Sequence, residues 1–406
     1  MMKKEYDVVI IGGGVSGMTA AITLKRACPE WDVAVFEKKE VFLKKLSLTG
    51  NGRCNISNVN CSDRELVEDF FESVGISLRA DETGRLYPYS EDAKDVCRLL
   101  IKSAENCGVE LYSEAIVTKL ETIPLEKDPR GGFHIFLEED DQAVYAENIV
   151  LATGGKSYAN CGTTGDGYVF ARRLGHSVSK LAPALTAVEV LDNIKVLKGV
   201  RTKAKAYLYR DGELITSESG EVQFREDAIS GICIMNLSRF IKPLKGESPE
   251  DSFKHYEIRL DLTPDFSSSE IRDMMVMRME KLGYDSIYAM KGLVKEELAS
   301  YIARKENVFF ARWNGESVSY EEIAGFIADV LSDLRLTVKG LKGWNEAQVT
   351  SGGVCLDEID MNTMESNIVP GLFITGETLD YDGPCGGYNL HNAWLTGIKA
   401  GKGLAR

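Results

Sequence analysis

Val8-Val9-Ile10-Ile11 runs directly into Gly12-Gly13-Gly14-Val15-Ser16-Gly17, and Met18 to Ala27 follows as a helix-forming stretch that stops before Pro29. A buried strand, a glycine turn and a helix in immediate succession restrict the chain to a Rossmann-like α/β start. The G-x-G-x-x-G frame falls on Gly12, Gly14 and Gly17, which serve in turn the tight turn, backbone approach to a pyrophosphate, and close helix–strand packing. Phosphates would meet the helix start, where free N–H groups and the dipole favour anions. A second strand, Asp32 to Phe36, delivers Glu37 twenty residues past Gly17, the position of a ribose-binding carboxylate. The turn alone does not separate FAD from NAD, since both use it.

The 406 residues exceed one compact core and point to two or three domains. No apolar run approaches the length of a membrane span. Lys+Arg 48 against Asp+Glu 62 gives a formal charge of -14, which repels phosphate backbones and argues against nucleic acid as the main partner. The apolar run after Tyr6 is too short for a signal-peptide core, so a cytoplasmic location is expected. Nine cysteines, an odd number without a Cys-x-x-Cys pair, read as reduced thiols, with no metal site expected.

Further glycine-rich blocks recur along the chain. Lys44 to Asn58 is polar and loop-like, and contains Lys45 and the run Thr49-Gly50-Asn51-Gly52-Arg53-Cys54-Asn55. Asn148 to Leu151 is a short buried strand leading to Ala152-Thr153-Gly154-Gly155, where small residues suit close backbone approach to a ligand. Gly165-Asp166-Gly167-Tyr168 leads into a helix from Val169 to Leu174. Near the end, Gly371 to Ile374 is a strand followed by Thr375-Gly376-Glu377, and Gly386-Gly387-Tyr388-Asn389 opens a last helix from about Leu390 to Ala400.

These blocks together resemble the BaiN/YhiN-like (aminoacetone-oxidase-like) family of bacterial FAD-dependent oxidoreductases, within the glutathione-reductase-type flavoproteins. Gly-Arg-Cys-Asn at 52–55 is the most specific mark. The resemblance implies bound FAD and a flavin-binding domain in two chain segments with a domain inserted between them. The implied cofactor residues are Gly12, Gly14, Ser16, Gly17, Glu37, Lys38, Lys45, Thr49 through Asn55, Thr153, Gly154, Gly155, Gly165, Asp166, Gly376, Glu377 and Gly386 through Asn389. Gly376 and Glu377 would face the ribityl and pyrophosphate portion. The chain departs from the family pattern at Leu43 and Ala159, and Arg225 to Ile232 keeps only Ile-Ser-Gly of a longer stretch that carries a histidine in relatives. That last difference bears on substrate chemistry rather than on FAD.

The insertion has its own pattern. Ala204, Ala206 and Leu208 alternate with polar residues, Asp211-Gly212 marks a hairpin turn, and Leu214, Val222, Phe224, Ile258, Leu260 and Leu262 continue the strand period. Ser267-x-x-Glu270 is a capping box for a helix to about Leu282, with helical stretches near Leu293 to Arg304 and Val318 to Leu334. The expected architecture is a Rossmann-like FAD-binding domain at 1–185 and 345–406. An inserted antiparallel, barrel-like β domain occupies 186–264 and 335–344, and a helical lobe 265–334.

Flavin chemistry asks the protein for orientation and electrostatics. By the resemblance, Gly387, Tyr388 and Asn389 open a helix aimed at the flavin, which would stabilise negative charge on the reduced ring by roughly 1–2 kcal/mol. No acid or base stands out; Tyr388, His391 and Lys45 are the candidates, whereas His134, His176 and His255 read as structural. No Cys-x4-Cys pair is present, so Cys54, Cys161 and Cys385 read as packing residues. A second strand-GxGxxG-helix unit is also missing, so NAD(P)H would bind only transiently. The favoured activity is reduction of a small, enone-like organic substrate by NAD(P)H through the flavin. The alternatives are an amine oxidase producing hydrogen peroxide and a non-catalytic FAD-binding redox sensor. Oligomeric state is left open.

Overall fold

The computed structural model describes residues 2–126, 128–138, 142–244, 246–310 and 318–406. The chain divides into two compact units, one formed by Met1–Pro183 and Gln348–Arg406, the other by Ala184–Ala347.

In the first unit, β1 (Glu5–Ile11) leads through the glycine turn into α1 (Val15–Ala27), then β2 (Val33–Phe36). Next come β3 (Val144–Leu151), α2 (Asp166–Arg173), β4 (Leu372–Ile374) and α3 (Tyr388–Leu404). β1 pairs in parallel with β2 on one side and β3 on the other. The carboxyl half of β3 pairs in parallel with β4, while its amino half pairs with the antiparallel strand Phe133–Leu137. Among the described residues this makes a seven-stranded sheet. Val8, Val9 and Ile10 on β1 and Ile149, Val150 and Leu151 on β3 are wholly buried, as expected of parallel strands covered on both faces.

α1 and α3 pack at unusually close range because the contact is made by glycine. A Cβ on Gly397 would lie 2.5 Å from the Ser16 carbonyl oxygen, and one on Gly401 would lie 2.8 Å from that of Ala20. The last helix is longer than its sequence pattern suggests, starting at Tyr388 and ending at Leu404.

The second unit contains a closed six-stranded antiparallel barrel. Its strands run in the order Val188–Val190, Ala228–Ser230, Glu213–Phe224, Arg201–Arg210, Tyr256–Asp261 and Leu334–Leu341, and the last closes on the first. Ala206, Leu208, Val222, Phe224, Ile258 and Leu260 fill the interior. Asp211 and Gly212 both have positive φ, the backbone a two-residue hairpin requires. Leu214, grouped with the inward set by alternation, is instead half exposed: the register shifts between Leu208 and Tyr209, and a one-residue shift changes which face a side chain takes. The helices Ser268–Leu282, Glu296–Phe310 and Tyr320–Ser332 lie between the fifth and last barrel strands in sequence. The first carries the full capping box of Ser267 and Glu270. The stretch read as helix to Leu334 ends at Ser332, and Leu334 already belongs to the closing strand.

Candidate flavin site

The glycine turn is shaped by contacts that exclude any side chain. At Gly12, φ is +112° and a Cβ would sit 2.3 Å from the Ala152 carbonyl oxygen; at Gly17 a Cβ would sit 2.1 Å from the Gly12 oxygen. Gly14 faces open space, with nothing within 4 Å of its missing Cβ. It is also the N-cap of α1, and no side chain caps that helix. Free N–H groups therefore border open space at the carboxyl edge of the sheet, where doubly wound folds bind ligands.

Glu37 follows β2 and is fixed from behind by backbone. Its Oε2 accepts from Gly13 N–H and its Oε1 from Lys39 N–H, each at 2.8 Å. Burial pushes its pKa up, against the stabilising effect of these N–H groups. Each oxygen retains a lone pair for a diol. Lys38 is tied to Thr164 at 2.6 Å and to Asp166 at the start of α2. Gly165, the N-cap of α2, is left-handed with φ +90°.

A second cluster joins four chain segments. Lys45 Nζ donates to Glu377 Oε2 at 2.8 Å and to Ser157 Oγ at 2.9 Å. Thr350 N–H donates to Glu377 Oε1 at 2.7 Å, and the Ser157 hydroxyl lies 3.2 Å from the same oxygen. A Cβ on Gly155 would come within 2.4 Å of this oxygen, so the carboxylate lies directly against backbone. Gly376 lies over Ser16, and its N–H donates to Thr396 Oγ1. Ser157, just after Gly154-Gly155, and Thr350, just before Gly352-Gly353, were not anticipated as site residues; a small hydroxyl residue beside a glycine pair is the signal that marks each.

The Gly-Arg-Cys-Asn block folds as a tight turn. Gly50, Asn51, Gly52 and Cys54 all have positive φ, which for Asn51 and Cys54 is strain of the kind held at functional sites. Thr49 Oγ1 caps the turn by donating to the Leu46 carbonyl. Cys54 is fully buried and burial pushes its thiol pKa up to about 12. Arg53 turns outward, 4.9 Å from the Tyr87 ring centre and 3.9 Å from Glu91. Asn55 faces α3: oriented to satisfy both partners, its amide donates to Ser57 O at 2.9 Å and accepts from Gly387 N–H at 3.0 Å.

At the start of α3, Gly386 and Gly387 are left-handed and no side chain caps the helix. Tyr388 occupies the first helical position. Asn389 folds back to donate to and accept from Gly383, which fixes the preceding turn. His391 is buried, with Nδ1 bonded to Ser57 Oγ and Nε2 to Ser62 O, both at 2.8 Å. No ring nitrogen is left for proton transfer. Among the other histidines, His176 lies between Glu358 and Ser366 at 2.9 Å from each, a serine–histidine–acid line. Ser366 Oγ already accepts from Ile368 and Val369 N–H and is buried, so it is not an available nucleophile. His255 bonds Asp211 at 2.6 Å.

These residues fit FAD. The Thr153 hydroxyl is buried without a partner beside the turn, Gly14 opens a cradle, and α1 and α3 both present uncapped N-termini. Among the described residues, no helix is long and apolar enough to cross a membrane.

Residues 62–403 match the family described as HI0933-like protein Rossmann domain, and residues 7–62 match the FAD binding domain family. The chain is 32% identical to 3-dehydro-bile acid delta(4,6)-reductase of Clostridium scindens over 98% of both sequences. It is 24% identical to ribosomal RNA dihydrouridine synthase of Haemophilus influenzae over the full length of both. The crystal structure of 3-ketosteroid delta1-dehydrogenase from Sterolibacterium denitrificans shares the fold, with a TM-score of 0.53 at 12% identity over 99% of this chain and 100% of that one.

Proposed function

Because the chain belongs to the HI0933-like FAD-binding Rossmann family and is an FAD-dependent oxidoreductase, we propose that it saturates an enone-like double bond of a small organic substrate, with NAD(P)H as electron donor. The observation that carries this reading is the full-length similarity to the bile-acid reductase. That relative's name describes reduction of double bonds conjugated to a ketone. Dihydrouridine formation is electronically the same step, since the uracil double bond that is saturated is conjugated to a carbonyl. In this chain's proposed reaction on an enone, hydride adds to the carbon β to the carbonyl and a proton to the α carbon, while the donor NAD(P)H becomes NAD(P)+.

Bound FAD supplies the two-electron hydride carrier. The residues that would hold it are the first turn of α1 for the phosphates, Glu37 for the ribose, and the start of α3 for the negative charge of the reduced ring. Lys45, Ser157, Thr350 and Glu377 hold the ends of β3 and β4 at a fixed spacing. Cys54, buried with its thiol pKa near 12, stays protonated at neutral pH and offers no thiolate relay.

A uridine in RNA is the second acceptor the same chemistry admits, supported by the similarity to the ribosomal RNA enzyme. The formal charge of -14 opposes it. Anaerobic mixing distinguishes the readings. NADH or NADPH should bleach the flavin within seconds, simple amines should not, and a conjugated steroid ketone should restore the oxidised spectrum. Bleaching by an amine without response to either nicotinamide would replace the reductase with an oxidase. Silence toward all donors would leave a non-catalytic FAD protein. Reoxidation by a ribosomal RNA fragment and by no small enone would move the acceptor to RNA.

A further inference from the structure

His391 lies in the first turn of α3 and is 5% exposed. The Ser62 carbonyl can only accept, so Nε2 carries the ring proton, and Nδ1 must then accept from the Ser57 hydroxyl. The imidazole is thereby held as one neutral tautomer. Burial pushes its pKa down, with Asp63 as the nearby opposing charge. On the other side of Ser57, the Asn55 amide bridges the Ser57 carbonyl and Gly387 N–H. That carbonyl would be only 2.3 Å from a Cβ on Gly387. Asn58 Nδ2 also donates to Gly386 O at 3.0 Å, and Trp394 Nε1 to Ile56 O at 3.1 Å. The stretch from Asn55 to Ser62 is thus fastened to the beginning of α3 at several points, two of them through Ser57.

We propose that Asn55 and His391 are a positioning pair that clamps Ser57 and so fixes the direction in which α3 presents its uncapped N–H groups, setting the electron affinity of the bound flavin. Neither side chain touches reacting atoms. The inference rests on the reading that the start of α3 faces the flavin ring. A donor group stabilises developing charge only where its direction matches, so a small tilt of α3 changes the potential before it changes folding or retention of FAD. Asn55 belongs to the most specific sequence block of the chain, yet its side-chain bonds go to protein backbone.

The test uses the FAD-loaded protein and variants Asn55→Ala, Asn55→Asp, His391→Leu and His391→Asn, titrated against a reference redox dye. Asn55→Ala and His391→Leu should bind FAD within several-fold of the parent. Their flavin should shift about threefold toward the oxidised form in the dye equilibrium, about 14 mV for a two-electron couple. His391→Asn keeps an acceptor near Nδ1 and should recover part of the shift, whereas Asn55→Asp keeps the acceptor for Gly387 N–H but sets a carboxylate against the Ser57 carbonyl and a negative charge at the helix start, and should shift at least as far as Asn55→Ala. Because both residues act through Ser57, the double variant Asn55→Asp/His391→Asn should shift by less than the sum of its singles. Unchanged potentials in folded, FAD-loaded variants overturn the proposal. Should the larger truncations fail to fold, the two conservative variants decide it alone, a potential equal to the parent's in both counting against it. Parent protein that takes up no FAD refutes the underlying site reading, a result seen before any variant is compared.

Discussion

Lys45 and Glu377 are 332 positions apart in sequence, yet their ammonium and carboxylate meet at 2.8 Å, with Ser157 bonded to both. Their side chains are 27% and 19% exposed, between the surface and interior regimes of ion pairing. In a double-mutant cycle with Lys45→Met and Glu377→Gln, urea unfolding should give a coupling of about 1–2 kcal/mol. The single Lys45→Met should be the worse of the two, since it leaves an ionised carboxylate against the Gly155 backbone. A coupling within about 0.3 kcal/mol of zero would mean that the two ends of the chain are held by other contacts.

Glu37 is the carboxylate most closely tied to the cofactor expectation. Glu37→Ala orphans the N–H groups of Gly13 and Lys39 and removes the acceptors for a ribose diol. Charge-assisted bonds of this type contribute about 1.5–3 kcal/mol, so FAD should dissociate roughly ten- to a hundredfold more readily. Equilibrium dialysis of the flavin reads this directly, and retention equal to the parent would remove Glu37 from the site.

Thiols should stay outside the electron path. Cys161→Ser should keep the rate of flavin bleaching within several-fold of the parent, with no long-wavelength charge-transfer band in either protein. Native Cys54, with its thiol pKa near 12, should resist alkylation at neutral pH until the chain unfolds. Rapid labelling of Cys54 in the folded protein, located by peptide mass spectrometry, would contradict its burial.

Acid should weaken the fold through His391. Its folded-state pKa lies below the ordinary 6.5, so as pH falls below that value the unfolded chain gains a proton that the folded chain does not. Stability tied to this site is complete above pH 6.5 and declines from there down to the lowered folded-state pKa. His391→Gln lacks that titration, and the stability gap between parent and variant should narrow as urea unfolding is moved from neutral to mildly acidic pH. His255 has the opposite sign, since Asp211 raises its pKa, and it is common to both proteins.

Local patterns carried the framework of this molecule. The glycine frame, Glu37, the Asp211-Gly212 turn and the Ser267 capping box each act over a few residues, so their spacing alone predicts their geometry. The site's second cluster is a different matter. Lys45 and Glu377 each stand in recognisable blocks, but their pairing through Ser157 and Thr350 depends on the chain returning after the barrel, which no local period encodes. His391 illustrates the same gap: two positions past Asn389 it reads as a site-facing group, and only the approach of Ser57 and Ser62 turns it inward. Leu214 failed for a local reason, because the bulge at Ile215 on its own strand alters alternation without a residue type that announces it.

The glycine contacts between α1 and α3 also set an order of events in the making of the protein. α1 is synthesised about 360 residues before its packing partner, so a growing chain must carry this helix with one flank bare. At roughly 5–20 residues per second that interval is on the order of tens of seconds. The barrel strands all lie within one uninterrupted stretch and have every partner they need before β4 and α3 leave the ribosome. The inserted unit is therefore free to fold while the unit that surrounds it in sequence waits, and cofactor capture becomes a post-translational event. Loss of the last helix would then act as an all-or-none defect in flavin loading, one that extra FAD in the medium does not repair.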